Sequence, residues 1–223
     1  MSVFSRVAII GLGLIGGSVA AAIQKRKLAS HVVAYDQLGG SLDLALQRGI
    51  IDSAAPSITE AVSGADLVLI AVPVLTIETI LREIPPDVLI TDVGSVKQHV
   101  IDACETVYGV VPKTMVPGHP IAGSEKHGVA AANADLFEHH KVILTPNADT
   151  DAESLERVRS LWQDLGATIV EMSVSHHDEV LAQTSHLPHL LAYAFVDTLS
   201  AQGDSMEVFQ YAAGGFRDFS RIA

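Results

Sequence analysis

The sequence predicts an α/β chain in which a doubly wound, mostly parallel sheet is followed by an all-helical second domain. Three observations carry this expectation. Short β-branched runs alternate with amphipathic segments over the first two thirds, a glycine-rich turn joins the first run to the first helix, and the strand pattern stops after Met172. Strands that alternate with helices pair in parallel, because each helix carries the chain back across the sheet.

The expected strands are, in order, RVAII (6–10), HVVAYD (31–36), DLVLIAV (66–72), VLITDV (88–93), a short TMVPG (114–118), KVILTP (141–146) and ATIVEM (167–172). Most are continuous Val/Ile/Leu runs without polar alternation, as befits strands covered on both faces. The helices between them have readable ends. SLDLALQRG stops at Gly49, and TDAESLERVRSLWQDLG sets Thr150 and Glu153 at capping-box spacing before its stop at Gly166. Beyond Met172, Ser175 is placed to cap a long helix through HHDEVLAQTSHLPHLLAYAFVDTLS, with Pro188 removing one backbone hydrogen bond inside it. Val180, Leu187, Leu191, Phe195 and Leu199 are too many apolar positions for an isolated helix, so it must pack on the first domain or on another chain. The expected domains are residues 1–172 and 173–223.

Composition bounds the function. The 223 residues are 48% hydrophobic and 18% charged, with a formal net charge of -12. That balance argues against nucleic acid or a membrane surface as partner, since both call for a basic face. No apolar run reaches a membrane span and no signal peptide opens the chain. The single cysteine, Cys104, excludes an internal disulfide, and the expected location is the cytoplasm.

In VAIIGLGLIGGSVAAAIQKRK, Gly11, Gly13 and Gly16 form a G-x-G-x-x-G pattern, with Leu14 and Ile15 inside it, between a strand and a helix. Gly11 permits the turn, Gly13 lets a pyrophosphate approach the backbone, and Gly16 lets the helix close on the strand. The helix N-terminus then offers N–H groups to the anion. Asp36 ends the second strand twenty residues after Gly16, placed to accept the ribose hydroxyls and to repel a 2′-phosphate, which favours NAD over NADP. Otherwise the glycines only make a tight turn and Asp36 only ends a strand. Val72-Pro73 and Ser95 follow later strands on the same carboxyl edge, where an open sheet binds its ligand.

Four polar stretches could add chemistry: DVGSVK (92–97), GHPIAGSEKHG (118–128), SHLPH (185–189) and GGFRDFSRIA (214–223). GHPIAGSEKHG is poor material for helix or strand and reads as a loop, with Pro120 biasing His119 toward an extended conformation at a strand end. An imidazole with its ordinary pKa of about 6.5 can take a hydroxyl proton near neutral pH, as alcohol oxidation by NAD requires. His186 and His189 share a helix face and could be metal ligands, substrate contacts or satisfied core groups. No carboxylate or cysteine stands at a companion spacing, so no metal site is expected. The histidine pairs at 139–140 and 176–177 read as solvated element ends. Arg217 and Arg221 could form a carboxylate receptor or a surface ion pair with Asp218.

Together GLGLIGGS, TDVGSVK, GHPIAGSEKHGV, KVILTP, SHLPHLLA and GGFRDFSRIA, in order from residue 11 to the last, resemble the prephenate dehydrogenase family, with its arogenate and cyclohexadienyl members. The resemblance implies a Rossmann-like NAD-binding domain followed by a helical domain that completes the substrate site and forms a homodimer. It implies NAD-dependent oxidative decarboxylation of prephenate, a dicarboxylate, to 4-hydroxyphenylpyruvate in tyrosine biosynthesis. Arogenate or dual specificity is the alternative, and so is an NAD-binding module without turnover. By this resemblance His119 meets the substrate hydroxyl and Ser95 holds the same locus. Glu125, beside Ser124, is the loop carboxylate near the entrance, Arg221 grips the ring carboxylate with Arg217 beside it, and His186 and His189 belong to the substrate-side helix. Family members usually continue beyond the point where this chain ends, so the helical domain is expected to be incomplete.

Overall fold

The computed structural model describes residues 4–123, 126–201 and 214–220, without the side chains of residues 217–219. Its first strand, β1 (Phe4–Ile10), is followed by α1 (Leu14–Arg26), β2 (Ala29–Tyr35), α2 (Gly39–Gln47), β3 (Ser53–Ala54), α3 (Ile58–Val62) and β4 (Leu67–Ile70). Then come α4 (Ile77–Leu81), β5 (Leu89–Asp92), α5 (Lys97–Tyr108) and β6 (Met115–Val116). These six strands form one sheet in the order β3-β2-β1-β4-β5-β6, parallel at every pairing. The expected doubly wound α/β architecture is therefore present. Order reverses at β1, and the carboxyl edge beside the β1 and β4 ends is the crevice such a sheet offers to a ligand.

Both faces of this sheet are covered, which accounts for the unbroken apolar runs. Val7, Ile9, Leu67 and Leu69 pack on one side with Val19, Ile23, Phe137 and Trp162, while Ala8, Ile10, Val68 and Ile70 pack on the other with Ile77, Leu81, Val100 and Cys104. Burial of this order, at roughly 25 cal/mol per Å² of apolar surface, is the main force holding the layers together.

The later strands depart from the expectation of a single parallel series. The predicted strand 114–118 is divided at Pro117: β6 closes the large sheet, and β7 (Gly118–Ile121) opens a second one with β8 (Lys141–Leu144) and β9 (Thr168–Glu171). In it β7 runs antiparallel to β8, and β8 parallel to β9. The start of GHPIAGSEKHG is thus a strand, not a loop. Pro120 is tolerated because β7 is an edge strand with a partner on one side only, where a missing N–H breaks no second ladder.

Two helix starts also differ. On α6 (Ala152–Asp164) the cap is Asp151, whose carboxylate accepts the Ser154 N–H at 2.9 Å, while the hydroxyl of Thr150 bonds instead with Asn147. On α7 (Val174–Leu181) Ser173, not Ser175, accepts the His176 N–H at 3.3 Å. The helix expected to run on from there is interrupted by a wide π turn over Ala182–His186 before α8 (Leu187–Ser200). Pro188 falls in the first turn of α8, where its missing N–H is no loss. The next described helix is α9 (Gly214–Ser220). Contacts divide the chain into two units, one ending at His177 and one beginning at Asp178. In the second, Phe195 of α8 packs on Phe216 of α9, ring centres 5.5 Å apart.

Candidate active site

At the end of β1 the chain turns through Gly11 at φ +97°, a conformation that side chains resist. A methyl group there would also lie 2.6 Å from the Ala71 carbonyl oxygen and 3.0 Å from Val72, so the turn is pressed against the end of β4. One on Gly16 would lie 2.0 Å from the Gly11 carbonyl oxygen, which fixes α1 tightly onto the turn. Gly13 is different: nothing lies within 4 Å of a methyl placed on it. That open space sits over the first turn of α1, formed by Leu14, Ile15 and Gly16, whose N–H groups have no partner within the helix. The loop has the shape of an anion cradle, open where the ligand approaches and packed where the helix must stay put.

Asp36 lies just beyond β2 and is locked beside the cradle. One carboxylate oxygen accepts the Leu12 N–H at 2.6 Å and the other the Leu38 N–H at 2.7 Å. Each oxygen retains a further lone-pair direction, so the group can still accept a pair of ribose hydroxyls. Val72, half-buried, and Pro73, exposed, follow β4 on the same edge.

The next strand end carries a buried ion pair that the sequence reading missed. Asp92 and Lys97 are both fully buried and bonded to each other. Asp92 also accepts the Gly94 N–H at 2.7 Å and the Gly118 N–H at 3.2 Å, while Lys97 donates to the Gly118 carbonyl at 2.6 Å. The pair thereby closes the 92–97 loop, with Ser95 exposed on it, and ties the loop to the residue before His119. The signal available in sequence was an aspartate and a lysine at the two ends of DVGSVK.

His119 lies on β7, half-buried, opposite Ile143 of β8, which in turn faces Val170 of β9. β9 leads directly into α7, and this brings His177 to His119: Nδ1 of His119 and Nε2 of His177 are 2.9 Å apart, with the rings edge to face at 64°. His177 has no solvent exposure. The expectation that the 176–177 pair is a solvated element end is therefore wrong for His177, although His176 is exposed. Helical periodicity could have found it, since Val174, His177 and Leu181 share one face of α7.

Of the remaining predicted site residues, His186 lies in the π turn, half-buried, and His189 is exposed on α8 with its Nδ1–H donated to the Ser185 carbonyl at 2.7 Å. Arg217 falls in α9, and Ser124, Glu125 and Arg221 lie outside the described residues. Among the described residues no three His, Cys, Asp or Glu side chains gather as a metal site, and no helix is long and apolar enough to cross a membrane. Burial pushes the Cys104 thiol up to about 12, so it stays protonated and is no nucleophile.

Comparison with known proteins identifies the family. Residues 19–171 match the family model for the nucleotide-binding domain of prephenate dehydrogenase, and residues 173–223 match that for its dimerization domain. A cyclohexadienyl dehydrogenase of Zymomonas mobilis is 41% identical over 100% of this chain and 78% of its own length. A prephenate dehydrogenase of Bacillus subtilis is also 41% identical, over 97% of this chain, which spans only 60% of that protein. Among solved structures, prephenate dehydrogenase from Aquifex aeolicus in complex with hydroxyphenyl propionate and NAD+ superposes with a TM-score of 0.88 at 38% identity, over 98% of this chain and 77% of that one. With an anion cradle on the switch point of its parallel sheet and both family models matched in succession, the chain belongs to the prephenate dehydrogenase family.

Proposed function

We propose that the chain catalyses the NAD-dependent oxidative decarboxylation of prephenate to 4-hydroxyphenylpyruvate. The observation that carries the reading is the tie between the 92–97 loop and Gly118, which holds His119 beside the carboxyl edge that also bears the glycine cradle. NAD, which fits the cradle and the Asp36 carboxylate, supplies a hydride acceptor. His119 takes the proton of the substrate hydroxyl as hydride leaves the carbon that bears it. The bond to the ring carboxylate then breaks, its electron pair enters the ring as carbon dioxide departs, and the ring oxygen recovers its proton from His119. Charge on that oxygen changes most along this path, so a group placed there contributes most to the rate.

Ser95, on the loop fixed by Asp92 and Lys97, is assigned to the same oxygen. Arg221, with Arg217, is assigned to the substrate carboxylates, Glu125 and Ser124 to the loop entrance, and His186 and His189 to substrate contacts. The likeness to a cyclohexadienyl dehydrogenase keeps arogenate as the second reading. The partner is a second copy, on the strength of the dimerization-domain match and of exposed Leu190, Leu191 and Tyr193 on α8.

The test is NADH formation followed with prephenate and with arogenate. Turnover of prephenate, falling about 10²–10⁴-fold in kcat with little change in KM for His119→Asn, is the expected result. Near-normal turnover by that variant would overturn the base assignment, and NAD binding with no turnover of either substrate would overturn the activity.

A further inference from the structure

We propose that His177 is a positioning residue that sets the tautomer of His119. This rests on the reading of His119 as the group that takes the hydroxyl proton.

A neutral imidazole carries one N–H, so in the 2.9 Å contact between His119 Nδ1 and His177 Nε2 one ring donates and the other accepts. A base must present a lone pair to the substrate. With Nδ1 occupied by His177, that lone pair belongs to Nε2, which requires the proton of His119 to sit on Nδ1 and to be donated to His177. His177 must then accept through Nε2 and carry its own proton on Nδ1. The opposite arrangement, in which His177 donates, would put the His119 proton on Nε2 and leave no base.

The fold makes the arrangement rigid. His177 is fully buried, and its backbone N–H donates to the Ser173 carbonyl at 2.9 Å in the first turn of α7. The Met172 N–H donates to the Leu144 carbonyl at 3.2 Å, so α7 springs from a strand registered on the neighbour of β7. The two rings meet edge to face, their centres 5.2 Å apart.

A serine-histidine-aspartate triad places a carboxylate where His177 stands, and the charge holds the imidazolium firmly. A neutral acceptor orients the ring in the same way but stabilises its protonated form less. That suits a reaction in which His119 must return the proton once the ring has become aromatic.

The test uses the full chain with NAD bound, labelled with ¹⁵N at histidine, the His119 signals being assigned by their loss in His119→Asn. The expected spectrum shows His119 protonated at Nδ1, and a wild-type His119 protonated at Nε2 would overturn the proposal without any variant. In His177→Phe the Nδ1–H form should no longer dominate, and kcat should fall about 10²-fold while KM and NAD affinity hold within about threefold. His177→Gln, whose carboxamide oxygen can accept in place of Nε2, should recover most of the lost turnover. Wild-type kcat and tautomer in His177→Phe, or no recovery in a folded His177→Gln, would overturn the proposal. Normal turnover in His119→Asn would instead overturn the base reading while leaving the tautomer measurement to stand on its own.

Discussion

Gly13 and Gly16 stand in one short motif and meet opposite surroundings. The space around Gly13 is open, whereas a methyl on Gly16 would collide with the Gly11 carbonyl. Gly13→Ala should therefore fold, losing about 1 kcal/mol or less at a helix N-cap, but bind NAD more weakly because the methyl occupies the cradle. Gly16→Ala should lose stability and NAD binding together, as α1 is pushed off the turn. Denaturant titration and calorimetry with NAD separate the two, and a stable Gly16→Ala would contradict the packing described. The glycine turn and the extended backbone at His119 were legible because each announces a local requirement, a tight bend and a residue before proline. His177 was not, since a histidine beside another histidine in a polar run gives no local sign of burial, and its partner is 58 residues away.

Elements are joined here by polar groups that hydrophobic pattern does not reveal. β5, α5 and β7 meet at the Asp92–Lys97 pair, which binds the Ser95 loop to the His119 strand. Lys97→Met removes the counter-charge of a fully buried carboxylate, a change that costs about 3–5 kcal/mol when one partner of a buried pair is lost. The expected result is an earlier unfolding midpoint and a fall in kcat, with Asp92→Asn added to Lys97→Met restoring part of the stability. Equal stability of wild type and Lys97→Met would show that the pair does not hold these elements. Strands β1, β2, β4 and β5 of the large sheet could be read from β-branched runs within a few residues, whereas the two-residue β3, with no such run, was not foreseen. Strand β7 could not, because its place is decided by the division at Pro117 and by pairing with β8, Gly118 meeting Leu144 and Ile121 meeting Lys141. The π turn before α8 was equally hidden: Pro188 signalled a disturbance, and the structure puts it one turn earlier than the proline itself.

On the scale of the whole molecule, the second unit presents Leu187, Leu190, Leu191 and Tyr193 of α8 at 49–64% exposure. A contiguous apolar face of this kind marks an interface more often than a bare surface. Replacing Leu190 and Leu191 together by serine should shift sedimentation from dimer toward monomer, and an unchanged dimer would place the interface elsewhere. The sequence by itself determined the class of fold, the nucleotide cradle and the family, since these depend on short-range pattern: apolar runs, glycines where backbone must bend or pack closely, and motifs kept in order. Only the tertiary structure decided the second sheet, the buried Asp92–Lys97 tie and the His119–His177 pair. Each of these is a contact between segments distant in the chain, chosen by which buried polar groups can satisfy one another once the layers have packed.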